Sequence, residues 1–309
     1  MSFERPDVED AVSDPVKAAL GSIMTFKEYA ETEHPTPYVF ELGEGGRELE
    51  YYGSRHVTDP EDPLFDDVRR KFGAFLERHE PEECVVFIEG GLHPAGAFGS
   101  DEEAAKMGEP AFTQRLAERA GVKVASPEPG EDLQTEAMRA EGFGDDEIAA
   151  YWIIKQMKYA HDIEGRVPTA RDLGRWFLSA REWTGADWVP GAPDKKELRE
   201  RLAAGDDEVW KRVEDIGAAA EARLKDVFKT SAGKEFDLSM AEAYSDPADL
   251  SGMKSRFNRI AAISSEVRDR EIVRAVGEAV AAGKSAFVVY GASHAVMQEP
   301  AFKKLFSSL

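Results

Sequence analysis

Two histidines stand in the same grammar at opposite ends of the chain. ELEYYGSRHVTDP carries an apolar run to Gly53, two further residues, His56 and a proline shortly after; FVVYGASHAVMQEP repeats that order with Gly291 and His294. A third apolar run, CVVFIEGG, ends in Glu89, and VKVASPEP leads to Glu128. Imidazoles and carboxylates exchange protons near neutral pH and ligate divalent metals, so the set suits acid–base or metal-assisted chemistry on a water molecule. A glycine at the end of a strand allows a sharp turn and a close backbone approach, so a nearby side chain can point over the sheet edge. The pattern therefore predicts two imidazoles on one rim of one sheet, with Glu89 between them.

The neighbours of these residues extend the set. Arg55 beside His56, Ser293 beside His294, and Glu128 are candidates for substrate binding. SSEVRDREIVRAV places Arg268, Asp269 and Arg270 in the first turn of the helix before the last strand. Arginine opposes the helix dipole there. A surface salt-bridge cluster is the plain explanation; the sharper one has Arg268 clamping a substrate carboxylate, carbonyl or oxyanion, with Arg270 alongside. The other four histidines read as ordinary: His34 and His79 as surface groups, His93 as a loop residue before Pro94, and His161 as a partner for a helix C-terminus.

The elements that must position these groups follow from periodicity. Residues 1–36 are a polar N-terminal extension with one short helix. YVFEL and RELEYYG flank a glycine-rich turn as a hairpin. LFDDVRRKFGAFLERH has Phe65, Val68, Phe72, Phe75 and Leu76 at helical spacing. CVVFIEGG is apolar throughout, as in a parallel strand covered on both faces. A helix through EEAAKMGEPAFTQRLAERAG and a strand VKVASPEPG complete a βαβ rhythm. Residues 131–262 change character to helical patterns separated by Gly-, Pro- and Asp-rich loops, and hold all five tryptophans. The rhythm returns with a helix carrying Ile272, Val276 and Val280, the strand SAFVVYG and a closing helix. The expectation is a single α/β domain over 1–309, with a mostly parallel central sheet, flanking helices, an N-terminal hairpin and a helical insertion packed on the core. Sites in such sheets lie beyond the carboxyl ends of the strands.

Composition narrows the function. Against 39 basic residues stand 60 acidic ones, a net charge of −21, which repels nucleic-acid backbones and anionic lipid. No basic patch offsets it, so neither nucleic acid nor membrane is expected as a partner; a small-molecule or peptide substrate is. The single cysteine, Cys84, reads as a core residue and permits no disulfide framework or CxxC metal site. MSFERPDVED lacks the character of a signal peptide and no apolar run reaches membrane-spanning length, so a soluble, cytoplasmic protein is expected. GxSxG, HExxH and GxGxxG are absent.

Taken together, GSRH (Gly53, His56), FIEGG (Glu89), VRDREIV (Arg268) and GASH (Gly291, His294) resemble the GxxH superfamily. It groups the TIKI metalloproteases, the TraB/PrgY pheromone-shutdown proteins and the erythromycin esterases, with haem-binding ChaN-like proteins more distant. The likeness covers residues 48–130 and 260–300; the helical middle matches nothing specific, and the chain lacks the membrane anchor of TIKI proteins. The resemblance implies a sheet with helices on both sides, histidines in a cleft, and a hydrolase acting on an ester or amide (peptide-like) bond. Two chemistries stay open. In one, His56, Glu89 and His294 hold a divalent metal of manganese or cobalt type that activates water. In the other no metal takes part: one histidine is the general base, Glu89 orients it, the second histidine is acid or electrophile, and Arg268 supports the oxyanion. Because only two of the three ligands rest on a clear motif, the second is favoured. A non-catalytic protein binding haem or a peptide signal in the same cleft is the alternative.

Overall fold

The structure, a computed structural model, describes residues 12–162, 165–206, 208–233, 235–236 and 255–309. The chain divides into two compact units, Met1–Pro129 with Arg268–Leu309, and Gly130–Val267.

The first unit is built on a five-stranded sheet, β1 (Tyr38–Glu44), β2 (Arg47–Ser54), β3 (Cys84–Ile88), β4 (Lys123–Ala125) and β5 (Ser285–Gly291), in the order β1-β2-β5-β3-β4. The β1–β2 hairpin is antiparallel; β2, β5, β3 and β4 run parallel. The last strand of the chain thus enters the middle of the sheet. Ser54 pairs with Gly291 and Ile88 with Val289, so the carboxyl ends of β2, β5 and β3 stand side by side.

Side chains alternate between two cores, as the strand period of two requires. Leu49, Tyr51, Val85, Phe87, Ala286, Val288 and Tyr290 face one; Tyr52, Cys84, Val86, Ile88, Phe287 and Val289 face the other. Both faces are covered, which explains the unbroken apolar character of β3 and β5. The first face packs on α1 (Asp14–Leu20) and two helices described below; the second on α3 (Pro63–Leu76), α4 (Asp101–Ala105) and α5 (Glu109–Ala120). Asp62 caps α3, accepting the Leu64 N–H at 3.0 Å, with Pro63 in the first turn.

Several elements differ from expectation. The N-terminal segment holds two short helices, α1 and α2 (Phe26–Ala30), and Val16 and Ala19 of α1 are fully buried; residues 1–11 lie outside the described ones. The helix expected over 102–121 is two, α4 and α5, because Pro110 at the start of α5 has no N–H to continue a helix from above. The strand expected over 122–130 is confined to β4, followed by proline-rich loop.

The second unit contains α6 (Glu131–Ala140), α7 (Asp145–Asp162), α8 (Ala170–Thr184), α9 (Lys195–Ala203) and α10 (Glu208–Ala232), with no strand among the described residues. Helix α6 was not anticipated by the periodicity. A capping box between Thr169 and Asp172 starts α8, and Phe177 stacks on Trp188 at 5.5 Å in the core. The next helix, α11 (Arg256–Ala281), begins in this unit and ends in the first, where Ile272, Val276 and Val280 are buried as predicted. The chain closes with α12 (Ala292–Phe306), directly after β5. No helix among the described residues is long and apolar enough to cross a membrane.

Candidate active site

The adjacent ends of β2, β5 and β3 deliver the predicted groups to one place. Glu89 follows β3, and its backbone N–H still bonds to Val289 O of β5 at 3.2 Å. His56 follows β2 by two residues and takes a left-handed backbone, φ 59°, the only such non-glycine among the described residues. Histidine enters that region more readily than most residues, yet it costs on the order of 1 kcal/mol, and strain of this kind gathers at functional sites. His294 lies in the first turn of α12.

The imidazoles flank one carboxylate. His56 Nε2 is 3.6 Å from Glu89 Oε2, and His294 Nε2 is 3.9 Å from Glu89 Oε1. Glu89 is itself fixed: Oε1 accepts Arg268 Nη2 at 2.7 Å and Oε2 accepts the Gly291 N–H at 2.8 Å. Arg268 spans two carboxylates, since its Nε and Nη2 also donate to Glu128 at 2.8 and 2.9 Å. Glu128, a candidate for substrate binding by its position, is the second anchor of that guanidinium.

The two histidines differ in exposure. The His56 side chain is 49% exposed and the His294 side chain 9%. His294 is held from behind: its Nδ1 donates to Asp269 Oδ1 at 2.6 Å, an oxygen that also accepts Gln298 Nε2 at 2.6 Å. Gln298 Oε1 in turn accepts the Tyr51 hydroxyl at 3.0 Å. The Tyr290 ring stands edge-on to His294, with centroids 5.9 Å apart. Asp269 Oδ2 is buried and accepts no hydrogen bond among the described residues.

These contacts set the charges. Burial raises the Glu89 carboxyl, but Arg268, His294 and His56 outweigh it and hold the group well below the usual carboxylate range. Burial opposes the Arg268 cation, and Glu89 and Glu128 more than restore it. For His294, burial and Arg268 disfavour the imidazolium, yet Asp269 prevails and the pKa is raised. A hydrogen-bonded buried carboxylate has this effect on a histidine.

Arg55 is engaged outside this group. Arg55 donates through Nη2 to both oxygens of Asp62, at 2.7 and 2.6 Å, and so secures the cap of α3. Arg270 is an exposed residue of α11, and Ser293 is exposed in the first turn of α12. The dipole argument for Arg268–Arg270 falls as well: α11 begins at Arg256, so these residues lie in its middle. His79, expected at the surface, is largely buried, with Nε2 2.9 Å from Glu48 Oε2. His93 is a loop residue beside the Phe98 ring, as expected.

The proposed metal set does not assemble. No three His, Cys, Asp or Glu side chains among the described residues are arranged to hold a metal ion. Both oxygens of Glu89 are already engaged, one by a cation that would repel another.

Asp269, Gln298 and Glu109 were missed. Asp269 has a readable signal, since it lies three or four residues before Ile272, Val273 and then Val276 on the apolar stripe of α11; a charge on a buried stripe demands a partner. Gln298 occupies the same kind of position between Ala295 and Phe302 on α12. Glu109, at the start of α5, stands three and seven residues before Phe112 and Leu116 on the buried face of that helix.

The chain matches no protein-family model, no curated protein and no solved structure.

Proposed function

We propose that the protein is a hydrolase that cleaves an ester or amide (peptide-like) bond using its own side chains. The observation that carries this reading is the placement of Nε2 of both His56 and His294 within 3.9 Å of the two oxygens of one ionised glutamate. Half-exposed His56 is the general base: its Nε2 takes a proton from water, and the hydroxide formed attacks the carbonyl carbon. His294, whose imidazolium form Asp269 favours, is the general acid: its Nε2–H passes to the leaving oxygen or nitrogen as the bond to carbon breaks. The products are a carboxylic acid and an alcohol or amine. His294 then recovers its proton from the imidazolium of His56 through solvent.

Arg268 takes a different part from the one its type first suggests. With Nε and Nη2 committed to Glu89 and Glu128, it keeps Glu89 ionised between the rings, where that charge favours each imidazolium as it forms. The likeness of GSRH, FIEGG, VRDREIV and GASH to the GxxH superfamily supports the same assignment.

The test is a panel of activated esters, simple amides and short peptides, assayed with and without a chelator. A hydrolysis that survives chelation and disappears in His56→Ala is expected. Parental rates in His56→Ala and His294→Ala, or no turnover together with a Soret band on haem addition, would overturn the reading.

A further inference from the structure

Glu109 has no part in the reaction just described, yet its carboxylate is buried against the half-exposed imidazole. It opens α5 with a side chain only 1% exposed. Its Oε1 accepts the N–H of Val57, the residue after His56, at 2.9 Å; its Oε2 lies 4.0 Å from His56 Nδ1 and accepts no hydrogen bond among the described residues. A carboxylate so deep needs both of its oxygens met by partners. One backbone N–H does part of this, and the remaining oxygen faces His56.

The two imidazoles have a similar layout at different distances. His294 Nδ1 bonds to Asp269 at 2.6 Å, His56 Nδ1 stands 4.0 Å from Glu109, and the two Nε2 atoms face the two oxygens of Glu89. From this layout we infer that Glu109 is the positioning residue of His56, holding the neutral ring as its Nδ1–H tautomer so that Nε2 keeps a lone pair for water. The same carboxylate lies against the imidazolium once the proton has been taken. Glu89 cannot serve in this way. It faces Nε2, where a bound proton would block the base, and its oxygens are engaged by Arg268 and Gly291. A separation of 4.0 Å exceeds a hydrogen bond, but a small ring rotation or one bridging water closes it, and catalytic hydrogen bonds often tighten only when substrate binds. The inference rests on the hydrolytic reading for its chemical purpose, while its test needs no substrate.

The experiment is long-range ¹H–¹⁵N correlation on histidine-labelled full-length protein at about pH 8.5, some two units above an ordinary imidazole pKa. In the parent, His56 is expected as the Nδ1–H tautomer. In Glu109→Gln, which keeps an oxygen for Val57 N–H but removes the charge, the Nδ1–H population of His56 should fall while the His294 signals stay in place and report an intact fold. If Glu109→Gln does not fold, Glu109→Asp, which draws the carboxylate back by one methylene, should weaken the same signal. An Nε2–H tautomer in the parent overturns the inference, and so does an Nδ1–H signal that persists unchanged in the folded variant. Neither result touches the hydrolase assignment, which the activity of His56→Ala decides separately.

Discussion

Gly291 turns a bare Cα toward the imidazole of His56: a Cβ built there would sit 2.7 Å from Nε2. Gly53 does the reciprocal service. A Cβ on it would meet Ala295 Cβ at 2.6 Å and Ala292 Cα at 2.9 Å, on either side of His294. Each motif's glycine makes room for the other motif. Close approach is thus the physical reason for both glycines; Gly291 itself has an ordinary φ of −59°, and the left-handed turn falls on His56.

Alanine at the two glycines should separate function from stability. Gly291→Ala has a compatible backbone and one imidazole to displace, so folding should be nearly unchanged while kcat/KM falls about 10²-fold, the scale of an ångström-sized misplacement. Gly53→Ala meets backbone as well, including Tyr38 O at 2.7 Å, and should destabilise by about 1–3 kcal/mol through overpacking. Urea denaturation beside steady-state kinetics distinguishes them. Equal losses of stability in both variants would contradict the assignment.

Arg268→Met should be among the most damaging single changes. It leaves Glu89 and Glu128 without their shared cation, and breaking a buried pair by removing one partner costs about 3–5 kcal/mol. Arg268→Lys should recover only part of this, because a point charge cannot fork across two carboxylates. Denaturation midpoints measured together with unfolding m-values supply the check.

Stability should bend with pH in two directions. The folded-state pKa of His294 is raised above its ordinary 6.5, so its contribution is complete below that value and is lost as pH rises through the folded pKa. Glu89 is depressed below its ordinary 4.5, so its contribution is present above that value and is lost as pH falls. Asp269→Asn, which removes the charge behind His294, should flatten the alkaline limb of stability. It should also move the alkaline fall of activity to lower pH. Denaturation at stepped pH decides the matter; an unaltered alkaline limb in Asp269→Asn would show that another group titrates there.

Much of this was legible because strands announce themselves by burial. β3 and β5 are apolar runs that stop at a charged residue or glycine, and a sheet covered on both faces gives them no reason to alternate, while β2 ends in a buried LEYYG stretch. The convergence of His56, Glu89 and His294 followed from those endpoints alone. Their support did not. Asp269 stood beside two arginines and read as surface charge, because the start of α11 was placed too late; a helix begun at Arg256 puts it on the buried stripe. Arg55 read as a site residue by adjacency, but the chain leaves β2 at Ser54 and turns at His56, and the partner of Arg55 is the cap of α3. Glu109 depends on α5 crossing beside the end of β2, a tertiary fact that no local spacing encodes.

The central claim is that two imidazoles act as one unit on a scissile carbonyl. It is tested most directly by a double-mutant cycle on the best substrate of the panel, comparing kcat for the parent, His56→Ala, His294→Ala and the double variant. Each single change is predicted to lower kcat by about 10²–10⁴-fold, with the double variant little worse than either, since groups that act together are strongly non-additive. Single variants that keep the parental rate, or losses that simply multiply in the double variant, would contradict it.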